Sequence, residues 1–208
     1  MARAIMEFIG TFFLVFTIGM TVVEPGLGSM APLAIGSILM VMIFAGGHLS
    51  GAHYNPAVSL AIYVRGKLPL NDLITYMVAQ FLAAAVAAGL VLFMKGFPVV
   101  APGEWQIVPA LIAEFLFAFA LCFVVLNVAT AKGTSGNSFY GLAIGFTVLA
   151  GAFAVGPVSG GAFNPAVALG ATMMGLSAWV NIWIYLVANV AAAVVAGLTF
   201  RALNPDDA

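Results

Sequence analysis

Gly47-His48-Leu49-Ser50-Gly51-Ala52-His53-Tyr54-Asn55-Pro56-Ala57-Val58 and Ser159-Gly160-Gly161-Ala162-Phe163-Asn164-Pro165-Ala166-Val167 are the stretches that decide the fold. Each is a glycine-rich break that runs straight into Asn-Pro-Ala, and the two tripeptides lie 109 residues apart. Asparagine is a preferred N-cap, because its side-chain oxygen accepts from a backbone N–H of the first turn. Proline suits the first helical position, where its missing N–H costs nothing. Each Asn-Pro-Ala therefore opens a helix. The apolar runs that follow, roughly 56–64 and 165–174, are short. Ten residues at 1.5 Å rise reach about 15 Å, half the hydrocarbon thickness of a bilayer. They read as re-entrant half-helices. Irregular backbone at membrane depth survives only inside protein or against a wet cavity.

That the solvent is lipid follows from the rest of the chain. Of its 208 residues 64% are hydrophobic and 6% charged, where a soluble domain carries about 25% charged residues. Such a chain cannot cover a water-facing surface. Apolar runs of spanning length fall roughly at 4–23, 31–47, 70–94, 107–129, 139–155 and 178–202, each close to the ~20 residues a crossing needs. Turn formers separate them, among them Glu24-Pro25-Gly26, Ala101-Pro102-Gly103-Glu104 and Lys132-Gly133-Thr134-Ser135-Gly136-Asn137. The first run is too long for the apolar part of a signal peptide and contains Glu7, so it reads as a span. With the N-terminus inside, Arg3, Arg65, Lys67, Lys132 and Arg201 are cytoplasmic and only Lys95 is outside. This bias predicts cytoplasmic termini. A multi-pass protein of the plasma (inner) membrane is expected.

The halves, about 1–100 and 101–208 of a single channel domain, repeat. Tyr76-Met77-Val78-Ala79-Gln80 matches Tyr185-Leu186-Val187-Ala188-Asn189 at the same 109-residue offset. Glu7 and Glu114 hold similar places in the first span of each half. Three spans per half turn the second half upside down, an inverted repeat with a pseudo-two-fold axis in the membrane plane. Two half-helix N-termini then meet at the midplane, each contributing about half a positive charge. A cation is repelled there. A neutral oxygen is welcomed by the Asn55 and Asn164 amide groups, which the capping bonds leave free as donors toward a pore.

With these residues in place, the chain resembles the aquaporin (major intrinsic protein) family over nearly its whole length. The resemblance implies an all-α membrane bundle of six transmembrane helices plus two half-helices. It also implies a homotetramer with one pore per subunit, and pore residues Asn55, Pro56, Ala57, Asn164, Pro165 and Ala166. Glu7 and Glu114 match the family's buried glutamates, which accept from loop N–H groups. The family usually carries arginine directly after the second Asn-Pro-Ala, and here that place is Val167. Counting from the motifs, the other filter positions are Ile35, Ala152 and Gly161. Water-selective members resemble Phe, His, a small residue and Arg at these four places. This ring is apolar and wide by comparison, so it is expected to pass water and small neutral solutes such as glycerol, urea, ammonia or hydrogen peroxide.

His48 and His53 are expected to tie the first loop by hydrogen bonds, with a pH gate as the alternative. Gln80 and Asn189 bridge helices, Trp105, Trp179 and Trp183 anchor the interface, and Cys122 is inert core. Two other functions compete with this broad channel: a water-selective channel, and a secondary transporter, which also uses inverted repeats and broken helices. The transporter lacks a paired carboxylate or lysine beside the loops. No nucleophile is set against a base and no metal-ligand spacing occurs, so neither an enzyme, a cofactor nor a metal is expected. A net charge of −1 gives no footprint for nucleic acid.

Overall fold

The computed structural model describes residues 1–207. Eight helices follow in order: α1 (Ala2–Val22), α2 (Ala31–Ser50), α3 (Pro56–Arg65), α4 (Leu70–Met94), α5 (Ile107–Val125), α6 (Tyr140–Ser159), α7 (Pro165–Met173) and α8 (Ile182–Leu203). A π-turn, Leu126–Thr130, prolongs α5. Six of the eight are long and apolar enough to cross a membrane, and α3 and α7 are the two short ones. Among the described residues no strand forms.

The packing carries the repeat. α1 packs on α2 and α4 as α5 packs on α6 and α8. The half-helices cross over: α3 lies against α8 of the other half, and α7 against α4. Each half is thus completed by the other. Close approach is provided by small residues, as membrane bundles require in place of a hydrophobic drive. Ala83, Ala84, Ala87 and Ala88 of α4 and Ala192, Ala193 and Ala196 of α8 are fully buried. The α2–α6 contact is nearest at Gly36 and Gly145. A Cβ on Gly36 would stand 2.8 Å from the Gly145 carbonyl oxygen, and one on Gly145 2.6 Å from that of Gly36.

The glycine-rich breaks are shorter than the sequence suggests. Helix α2, expected to stop near residue 47, continues through Ser50. α6 continues past 155 to Ser159. Gly51 and Gly160 end them in the left-handed region, at φ 88° and 89°, where only glycine sits without a Cβ penalty. Their N–H groups close the last turns onto Gly47 and Gly156 oxygens at 3.0 and 2.8 Å. The exposed Trp179 and Trp183 suit interfacial anchors. Trp105 does not: it packs against Gly103 and Gly160 on a cavity wall. Lys95 also has a local use. Its ammonium donates to the Val23 and Pro25 oxygens at 2.7 and 2.6 Å, a cation on the carbonyl end of α1.

Gly145→Val is expected to destabilise the protein by about 1–3 kcal/mol, because the nearest atom in its way, the Gly36 carbonyl oxygen, is backbone. Gly89→Ala meets nothing within 4 Å and is expected to stay within about 0.5 kcal/mol of the parent. Thermal unfolding of both in detergent checks the contrast.

Candidate functional site

Each half-helix starts as its tripeptide requires. Asn55 is the extended N-cap of α3, and its Oδ1 accepts from the Ala57 N–H at 2.8 Å. Asn164 does the same for α7, accepting from Ala166 at 2.9 Å and Val167 at 3.3 Å. Pro56 and Pro165 take the first helical positions. The amide nitrogens then reach across the repeat. Asn55 Nδ2 donates to the Phe163 carbonyl and Asn164 Nδ2 to the Tyr54 carbonyl, both at 2.9 Å. The side chains expected to be wholly free toward a pore thus spend one of two amide hydrogens on the opposite loop. One hydrogen on each remains, and both residues line the same narrow space.

Tyr54 and Phe163 can present those carbonyls because of the glutamates. Both residues have φ near 49°, an uncommon conformation for a bulky side chain. Strain of this kind persists only where neighbours impose it. Glu7, fully buried, accepts from the N–H groups of His53 and Tyr54 at 2.9 and 2.7 Å, from Ser50 Oγ at 2.7 Å and from Gln80 Nε2 at 2.8 Å. Glu114, also fully buried, accepts from Ala162 and Phe163 N–H at 2.9 and 2.8 Å and from Ser159 Oγ at 2.8 Å. Each carboxylate gathers the loop N–H groups on one side and leaves the loop carbonyls for the other. Tyr76 and Tyr185 hydroxyls hold the last carbonyls of α2 and α6, Ser50 O and Ser159 O, at 2.8 and 2.7 Å. Gly10 of α1 admits the Tyr54 ring, which any side chain there would strike.

Around the Asn pair the space narrows to about 20 Å³ for water centres, walled by aliphatic side chains such as Leu39, Val58 and Leu121. That is room for about one ordered water. Both chain ends lie on one face, here termed the terminal face. There a vestibule of about 500 Å³ opens, sharing His53 with the waist. On the far face a cavity of about 360 Å³ shares Ala162 and Val167 with the waist. Ile35, Ala152, Gly161 and Val167 all line this far-face cavity, and Val167 also lines the space around the asparagines.

The remaining expectations divide. His53 is buried, its Nδ1 is 3.0 Å from Ser59 Oγ, and its ring meets Tyr76 edge-on. His48 is exposed on the last turn of α2, lines the terminal-face vestibule and makes no hydrogen bond among the described residues. It does not tie the loop, because one turn of helix separates it from the break. Gln80 joins Glu7 to Ser59. Asn189, its counterpart, is one methylene shorter and leaves both amide atoms without a hydrogen bond. The sequence reading missed the two tyrosines and Ser59. The paired Tyr76–Gln80 and Tyr185–Asn189 stretches were the available signal, since residues four apart share a helix face.

Two opposed half-helices, capped by asparagine and meeting over one waist in a six-span bundle, define a membrane channel. The major intrinsic protein family model matches residues 1–200, and the chain belongs to that family, the aquaporins, which are channels for water and small neutral solutes. It is 37% identical to aquaporin NIP1-1 of Oryza sativa subsp. japonica, over 97% of this chain and 74% of that one. It is 34% identical to putative aquaporin NIP4-1 of Arabidopsis thaliana, over 99% and 75%. The fold is similar to the aquaglyceroporin structure from Plasmodium falciparum, with TM-score 0.82, 25% identity and 98% and 97% coverage.

Glu114→Gln leaves a loop N–H facing an amide nitrogen and is expected to cost about 1–3 kcal/mol. Glu7→Gln is expected to cost more, since each Glu7 oxygen accepts from two donors, whereas one Glu114 oxygen accepts from Phe163 alone. The order of unfolding midpoints in detergent checks the assignment.

Proposed function

We propose that this chain is a passive channel for water and small neutral solutes, with a wide apolar filter and no catalytic activity. The observation that carries the reading is the reciprocal Asn55–Phe163 and Asn164–Tyr54 tie at a waist between two vestibules. Each asparagine keeps one amide hydrogen for a passing oxygen. The two helix N-termini add positive potential at the same point, as half-helix dipoles do in aquaporin-type pores. A cation meets that field in a passage whose walls are largely aliphatic and carry no acidic side chain. A neutral guest meets donors and pays no charge desolvation.

Solute range is set on the far face. Ile35, Ala152, Gly161 and Val167 offer neither a charge, an aromatic ring nor a side-chain hydrogen-bond donor. The valine stands where a long guanidinium would otherwise cross the cavity. The polar side chains of that cavity, Trp105, Ser177 and Tyr185, lie outside these four positions. An apolar ring rejects an extra hydroxyl or methylene only weakly, so glycerol, urea, ammonia and hydrogen peroxide fall within range. The similarity to an aquaglyceroporin supports this width. A water-selective channel would need a narrower, charged ring. A transporter would need a coupling ion site, and among the described residues no cluster of metal-binding side chains occurs.

Terminal-face placement of Arg3, Lys67, Lys132 and Arg201 supports a cytoplasmic terminal face in a plasma (inner) membrane. Exposed apolar side chains along the spans, such as Leu82, Val86 and Phe146, suit lipid and the homotetramer that the family resemblance implies.

Val167→Arg is expected to lower glycerol and urea flux about tenfold or more and to keep water flux of the same order. Proteoliposome swelling measures both. Equal solute flux in parent and variant, or a parent that passes water alone, would contradict the wide filter.

A further inference from the structure

Arg65 ends α3 with a side chain that is 0% exposed. Nothing in the conduit uses it. Its guanidinium carbon lies 4.4 Å from the centroid of Phe200 in α8. Nη2 donates to the Thr130 carbonyl at 2.8 Å and stands 3.1 Å from Asp207 Oδ1. Nε and Nη1 are buried without a hydrogen-bond partner. The other oxygen of Asp207 accepts from the Lys132 backbone N–H at 2.7 Å, and Lys132 Nζ donates to the Asp206 carbonyl at 2.7 Å. Three pieces of chain therefore meet on one carboxylate: the end of a half-helix, the connection after α5 and the short turn after α8.

A buried ion pair is weak support for stability, because apolar side chains of similar size serve as well. Its better-attested use is to fix a register or a switch. Here the fixed element is identifiable. Thr130 closes the π-turn that prolongs α5, and π-turns are frequent at functional sites. Ala129 and Thr130 are wall residues of the terminal-face vestibule. Arg65 holds that wall from behind through Thr130 O, and Asp207 holds Arg65.

We propose that Arg65 and the Lys132 backbone N–H form a carboxylate-binding site, filled in this fold by Asp207. The resulting latch fixes the Ala129–Thr130 wall and with it the width of the terminal-face mouth. Without the carboxylate, the guanidinium is left buried and uncompensated. It then moves toward water and releases Thr130, to which it is bonded. The charged groups facing Asp207 are Arg65 from α3 and Lys132 from the connection, with Asp206 beside it. The Lys132 N–H, and after it Arg65, hold the Asp207 carboxyl below the usual carboxylate range. A group depressed in this way keeps its contribution at neutral pH and loses it only as pH falls through the lowered value. The latch stays shut across the physiological range, so the test removes the charge by substitution.

The test compares the parent chain, Asp207→Ala and Arg65→Leu/Asp207→Ala. The first readout, in detergent, is the rate of tryptic cleavage after Lys132, with fragments assigned by mass. The second is osmotic water permeability in proteoliposomes. Asp207→Ala is expected to be cut about tenfold faster, as the open population rises, and to shift permeability by about twofold or more. Roughly 50 mM formate, a free carboxylate, restores both by mass action in Asp207→Ala and neither in the double variant. Cleavage unchanged in Asp207→Ala, an equal formate effect in the double variant, or faster cleavage with unmoved permeability would each overturn the proposal. Asp207→Asn gives the same readouts if the alanine variant does not fold. The permeability arm rests on the channel reading. A parent that passes no water defeats that reading alone, and cleavage still decides the latch.

Discussion

The structure depends on a pair of crossed hydrogen bonds: each half-helix asparagine donates to the carbonyl just before the other. Neither bond can form unless both loops place a bulky residue in the left-handed region. Neither loop holds that conformation without a buried glutamate drawing its N–H groups the other way. The glutamates in turn need hydroxyl and amide donors from neighbouring spans. The waist is therefore the end of a chain of constraints that starts in α1 and α5. Two short helices, each about half a bilayer long, would find no reason to stop at the midplane alone. They stop because their tips are tied to one another.

The two ties are chemically unequal. In the first half, His53, Ser59 and Gln80 surround Glu7 with further polar contacts. At the equivalent places in the second half stand Ala162, Ala168 and Asn189. The terminal side of the waist is thus polar, through a buried imidazole, and the far side is alanine and valine. Combined with the four apolar positions of the far-face cavity, this grades the conduit. A guest arriving from the far face passes a cavity wall that holds Trp105, Ser177 and Tyr185, then alanine and valine, before it reaches the asparagines. One arriving from the terminal face passes a histidine first. The family fold tolerates this because the backbone symmetry is carried by the glutamates, tyrosines and asparagines, which both halves keep.

The fold was legible from a few residues. Two Asn-Pro-Ala tripeptides at one offset, six apolar runs and an odd number of spans per half leave little room for another topology. The half-helices were bounded to within a residue, because asparagine, proline and a closing glycine or turn have strong local preferences. The ends of α2 and α6 were not. Glycine-rich composition reads as loop, yet Gly46 and Gly156 sit in helix, and only Gly51 and Gly160 break it. Composition cannot say which glycine takes positive φ. The glutamates were found because a carboxylate inside a span is conspicuous. Ser59, Tyr76 and Tyr185 were overlooked because a hydroxyl in a span is ordinary until its partner is known. Trp105 was misplaced for a related reason: tryptophan favours the interface, and only tertiary packing shows it turned inward. His48 shared a motif with His53, but helix geometry separated them. Arg65 looked like one more cytoplasmic charge, and nothing local announced that residue 207 would cover it.

The most direct measurement is proton flux against water flux in the same vesicles. Proteoliposomes carrying a trapped pH indicator are given an osmotic step and, separately, a pH step under a potassium diffusion potential. If the tied asparagines and the facing helix ends govern passage, water crosses with a low activation energy while the internal pH holds at the rate of protein-free vesicles. A proton leak that rises with the amount of reconstituted protein, in step with its water permeability, would contradict that claim.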